Sequence, residues 1–89
     1  MDAVRLNIIE DDDIVRESLV SYHEAKKNIC DILAFQSMEA FQKFYSEDPS
    51  NFPDVVLLDI QLPGMSGIEG ISVIKKMMPD TDIIMLTTF

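Results

Sequence analysis

DVVLLDIQLPGMSG, residues 54–67, decides how the rest of the chain is read. Val55, Val56, Leu57 and Leu58 form an unbroken apolar run, the pattern of a central strand covered on both faces. The run stops at a carboxylate, Asp59. Leu62, Pro63 and Gly64 then force a loop, and Gly67 allows a sharp turn before a helical pattern begins. An acid at the C-terminal end of a buried parallel strand sits where open α/β sheets place their chemistry.

Working outward, the sequence alternates strand and helix. Val4, Leu6, Ile8 and Ile9 indicate a first strand that ends at four consecutive acids, Glu10 to Asp13. Asp13 can cap a helix whose inward positions are Ile14, Val15, Leu19 and Tyr22, with Arg16, His23 and Lys27 on its other face. His23, the only histidine, is expected to be exposed and without a role. Ile29 to Phe35 reads as a short strand, and Asp31 within it suits a sheet edge. Ser37 opens a helix with Met38, Phe41, Phe44 and Tyr45 inward, and residues 49–53 lead as a loop into the central strand. After Gly67, the residues Ile68, Ile71, Ile74 and Met78 recur at helical spacing. Gly70 interrupts that helix at a cost of about 1 kcal/mol relative to Ala. Lys75 and Lys76 suit its last turn and Pro79 ends it. Residues 82–88, DIIMLTT, form a fourth strand. The order β-α-β-α-β-α-β implies a doubly wound, flavodoxin-like parallel sheet with helices on both faces, in three α/β/α layers.

The totals fit one small domain over residues 1–89. Sixteen acids against seven Lys and Arg give a formal charge of −9, which argues against a nucleic-acid surface, since that would need a basic patch. A single cysteine, Cys30, excludes an internal disulfide and a cysteine-based zinc cluster, and its apolar neighbours predict a buried thiol. The first residues lack a signal-peptide pattern, and no apolar run reaches the ~20 residues that span a bilayer. A soluble cytoplasmic location is the expectation.

Parallel strands end together, so Glu10 and Asp11, Asp59, and Thr87 converge on one edge of the sheet. Two carboxylates about 5 Å apart repel by roughly 3 kcal/mol at an effective dielectric near 20. Three together call for a cation, and hard oxygen ligands without His or Cys point to Mg²⁺. A nucleophilic Asp, a divalent ion and a nearby hydroxyl are the equipment for phosphoryl transfer to a carboxylate.

The blocks NIIEDDD, VVLLDIQLPGMSG and IIMLTT, in this order and spacing, resemble the receiver domain of two-component response regulators. The resemblance implies that Asp59 accepts phosphate from the histidine of a sensor histidine kinase. Asp11 and Asp59 would bind Mg²⁺ directly, Glu10 through water, and Gln61 through its backbone carbonyl. Thr87 would hydrogen-bond the phosphoryl group. Asp12 and Asp13 match no ligand position and read as solvated loop and cap. Receivers also carry a fifth strand ending in a lysine, and then a final helix. The resemblance therefore covers the part up to the fourth strand, in sheet order 2-1-3-4, and weak or absent phosphorylation is expected of it. A DNA-binding output domain, common in the family, is not supplied by these residues, and no membrane partner is expected. Self-association through the fourth strand, with Met85 exposed, follows from its unprotected edge.

Two other readings compete. One is a pseudo-receiver serving only as a protein-interaction module. The other is a haloacid-dehalogenase-like phosphatase, since Asp11 and Asp13 after an apolar strand imitate its D-x-D start. Val15 and the lack of a role for DIQLPGMSG count against the second.

Overall fold

The computed structural model describes residues 3–62 and 64–86. Its elements run β1 (Val4–Ile9), α1 (Asp13–Glu24), β2 (Ile29–Phe35), α2 (Met38–Glu47), β3 (Val55–Asp59), α3 (Gly67–Met77) and β4 (Asp82–Leu86). The four strands are all parallel, in the order β2-β1-β3-β4. The continuous apolar run of β3 lies inside the sheet, as expected of a strand covered on both faces, and β1, interrupted by Arg5 and Asn7, pairs beside it at the centre. Thr87 and Thr88, expected to end β4, lie outside the described residues, as does Pro63.

Two apolar layers enclose the sheet. On one face Ile9, Val56 and Leu58 pack against Met38, Phe41 and Tyr45 of α2, Ile74 of α3, and Leu62 and Met78. On the other, Leu6, Ile8 and Leu57 meet Leu19 and Val20 of α1. One polar residue enters the first layer: Asn7 is buried, and its Nδ2 donates to the Tyr45 hydroxyl at 2.5 Å. Gly70 is explained by this packing. A Cβ there would stand 3.2 Å from Met38 Sδ and 3.4 Å from Leu58 Cδ2, so the helix-weakening glycine lets α3 approach the sheet and α2.

Several expectations need correction. The N-cap of α1 is Asp12, whose extended backbone lets its carboxylate accept from the Val15 amide at 3.0 Å; Asp13 is already helical. Ile14 and Tyr22 are 77% and 61% exposed, because α1 turns Leu19 and Val20 to the sheet. That rotation leaves Arg16 and His23 half-buried, with His23 Nδ1 2.8 Å from the Leu19 carbonyl and its ring edge-on to Tyr22. Ile68 is 67% exposed, since the buried line of α3 is Gly67, Gly70 and Ile74. Cys30 is exposed. The pairing of β1 with β2 steps from Val4↔Ile29 to Arg5↔Asp31, so Cys30 is the extra residue of a bulge on an edge strand. On β4 the exposed residue is Ile84, whereas Met85 is half-buried against the first layer.

Candidate functional site

The acids converge as the parallel register requires. β1 and β3 run side by side with Ile9 opposite Leu58, so the residues that follow each partner emerge together. Glu10, Asp11 and Asp59 each place a carboxylate oxygen within 4.8 Å of the other two. Glu10 and Asp59 are buried, 1% and 2% exposed, and Asp11 is open to solvent. This is a half-sunken cluster with one accessible side.

Its internal bonding is incomplete. Glu10 Oε2 accepts from the Asp12 amide at 3.1 Å, while Oε1 is buried without a hydrogen-bond partner among the described residues. Burial pushes the Glu10 carboxyl up from 4.5 to about 7, and Asp59 and Asp11 beside it push in the same direction. An orphaned buried carboxylate oxygen is costly unless a proton or a cation completes it. The three acids therefore fit a small hard divalent cation, which takes oxygen ligands and keeps part of its water shell. Among the described residues, no basic side chain is paired with any of the three carboxylates. The two ion pairs are Arg5–Asp31 and Arg16–Asp13.

The loop after Asp59 is held from several sides. The Gln61 amide donates to Asp59 Oδ1 at 3.0 Å, the Ile60 amide to the Leu86 carbonyl at 3.1 Å, and the Gly67 amide to the Ile60 carbonyl at 3.2 Å. Leu62 is buried in the first apolar layer and anchors the loop there. A Cβ on Gly67 would fall 2.6 Å from Ile60 Cα and 2.7 Å from the Asp59 carbonyl oxygen. Only glycine lets the start of α3 close this tightly on the acid. Gly64, with φ 83, makes the turn between them.

Of the residues expected at the site, Glu10, Asp11 and Asp59 come together, and Gln61 bonds to Asp59 through its amide. Thr87 lies outside the described residues. Asp13 is not in the cluster; its carboxylate is paired with Arg16, which removes the D-x-D arrangement of the phosphatase reading. Arg16, placed on the solvent face by periodicity, instead bonds to the backbone of the acid pair. Residue periodicity carries no signal of these bonds, because the partners are backbone carbonyls.

Comparison with known proteins agrees with this geometry. The family model of the response regulator receiver domain matches residues 6–89, and the chain belongs to that family. Among its relatives, the transcriptional regulatory protein LnrK of Bacillus subtilis is 36% identical over 97% of the chain, which spans 38% of LnrK. A cyclic di-GMP phosphodiesterase of Thermotoga maritima is 35% identical over 92% of the chain, which spans 20% of that protein. Among solved structures, the response regulator RcsB in a complex with DNA superposes with a TM-score of 0.85 at 25% identity, covering 97% of this chain and 43% of that one. The chain thus spans less than half the length of each of these proteins. Receiver domains are signalling modules, generally without enzymatic activity of their own. Among the described residues, no helix is long and apolar enough to cross a membrane.

Proposed function

We propose that residues 1–89 act as a cytoplasmic phospho-accepting receiver unit in which Asp59 takes a phosphoryl group from the phosphohistidine of a sensor histidine kinase. The observation that carries this reading is the cluster of Glu10, Asp11 and Asp59, with a buried oxygen of Glu10 left unpartnered. In the transfer, a carboxylate oxygen of Asp59 forms the new O–P bond as the P–N bond to the imidazole breaks. The product is an acyl phosphate, and the imidazole leaves with a proton from solvent. Asp11 and Asp59 would hold Mg²⁺ directly, Glu10 through a water, and Gln61 through its carbonyl. The ion would offset the charge gathering on the phosphoryl oxygens. The Gln61 amide, already bonded to Asp59 Oδ1, fixes the orientation of the nucleophile. Thr87 would donate its hydroxyl to the phosphoryl group once it is in place. An output domain elsewhere in the whole protein would read the change; one relative is named a transcriptional regulatory protein and RcsB is solved with DNA, which favours DNA as the target of such a domain.

The chain is therefore a substrate of its partner's transfer rather than an enzyme. Fluoroberyllate, which mimics an acyl phosphate, tests the site: with Mg²⁺ present, a bound ¹⁹F resonance is expected for the wild type and not for Asp59→Asn. A bound resonance of equal intensity in both would refute the assignment. Failure of the wild type to bind while it still binds Mg²⁺ would favour the interaction-module reading.

A further inference from the structure

The Arg16 side chain has a bonding pattern that neither helix formation nor surface charge explains. Its Nη1 donates to the Glu10 carbonyl at 2.9 Å and more weakly to the Asp11 carbonyl at 3.4 Å, while its backbone amide makes the ordinary first helical bond to the Asp12 carbonyl. Two consecutive carbonyls of the acid pair are thus taken by one side chain. The guanidinium is also paired through Nη2 with the Asp13 carboxylate at 2.5 Å. The arginine side chain is 19% exposed, its partner 76%. An ion pair so open on one side contributes little to stability, so a stabilising salt bridge does not account for the arrangement. A planar fork with several fixed donors is suited to holding backbone oxygens in set directions.

We infer that Arg16 is a positioning residue for the cation site, its guanidinium clamping the Glu10–Asp11 backbone so that the carboxylates of Glu10 and Asp11 are gathered before the cation arrives. The inference rests on the reading of the acid cluster as a Mg²⁺ site. Two effects of Arg16 oppose each other. Holding the loop removes ordering cost from binding, which strengthens it. A positive charge one turn away repels a cation, which weakens it. Asp13 decides between them: paired with the guanidinium, its opposite charge offsets the repulsion at the cluster and leaves the clamp. The loop carries no glycine or proline to stiffen or shape it, so the side chain supplies the restraint that its own sequence does not.

The test is Mg²⁺ affinity by calorimetry for the wild type, Arg16→Met, Arg16→Lys and Asp13→Asn, at low and high salt. Arg16→Met keeps the aliphatic stem and should raise the dissociation constant about tenfold, at both salt concentrations. Arg16→Lys keeps the charge without the fork and should recover only part of the loss. Asp13→Asn frees the guanidinium charge, so its weakening should fade at high salt, because screening acts on charge and not on the clamp. Equal affinity in the wild type and Arg16→Met would overturn the inference while leaving the cation site standing. A Lys variant that matches the wild type would also overturn it, and serves as the deciding measurement if Arg16→Met does not fold. Absence of Mg²⁺ binding by the wild type would instead overturn the cation-site reading, and this inference with it.

Discussion

Replacing Glu10 with Gln is expected to stabilise the metal-free protein at alkaline pH while weakening its response to Mg²⁺. The carboxyl lies at about 7 in the folded chain against 4.5 ordinarily, because of burial first and of Asp59 and Asp11 second. The folded state therefore holds this proton more tightly than the unfolded state. The contribution to stability is full below 4.5 and is lost as the pH rises through about 7. At about 1.4 kcal/mol per pH unit, the loss at pH 8 is at most about 3 kcal/mol. Gln carries no charge to desolvate, and its oxygen can still accept from the Asp12 amide that now bonds Glu10 Oε2. With a chelator present, the variant should melt roughly 10–20 °C above the wild type at pH 8, and the gap should close by about pH 4. Mg²⁺ acts in the opposite sense. At a concentration about 100 times its dissociation constant it stabilises the wild type by about 2.7 kcal/mol. Glu10→Gln, with one less carboxylate, should gain less. Melting curves over pH with and without the metal measure all of these. Metal-free wild type and variant melting alike at pH 8 would refute the reasoning.

Two further outcomes follow from the packing. Gly67→Ala forces a Cβ against Ile60 Cα and the Asp59 carbonyl, and should destabilise the fold by about 1–3 kcal/mol, as overpacking does, while displacing Asp59; an unchanged urea midpoint together with unchanged Mg²⁺ binding would contradict the tight closure. The 89-residue polypeptide is expected to self-associate through β4, which in the described sheet is bonded on one side to β3 and carries Ile84 at 51% exposure. Sedimentation at tens of micromolar checks this: a compact monomer, or a dimer that survives Ile84→Lys, would count against it.

The fold was legible where the pattern is unambiguous. Continuous apolar runs at residues 55–58 and 83–86 marked two strands, of which only the first is buried, and Ser37 capped its helix as expected. The acid cluster was legible because parallel strands must end on one side, so Glu10, Asp11 and Asp59 could be placed together without side-chain detail. Helix α1 was harder. Its apolar residues do not lie on one clean stripe, so the rotation that exposes Ile14 and Tyr22 depended on the sheet beneath. The bulge at Cys30 is a matter of register between strands and leaves no mark on either strand's own sequence. Gly70 showed its helix cost but not the sulfur and methyl groups it lies close against. Arg16 was missed because its partners are backbone carbonyls, which no residue pattern advertises.

The central claim is that Asp59 is the nucleophile of a phospho-accepting cluster, and labelling tests it most directly. With phosphoramidate and Mg²⁺, the 89-residue chain should gain a phosphoryl group slowly and incompletely, since no basic side chain pairs with the three acids among the described residues. Reductive trapping followed by peptide mapping should place that label at Asp59, and Asp59→Asn should abolish it. A label mapped to Asp11 or Asp13, or one that persists undiminished in Asp59→Asn, would contradict the account.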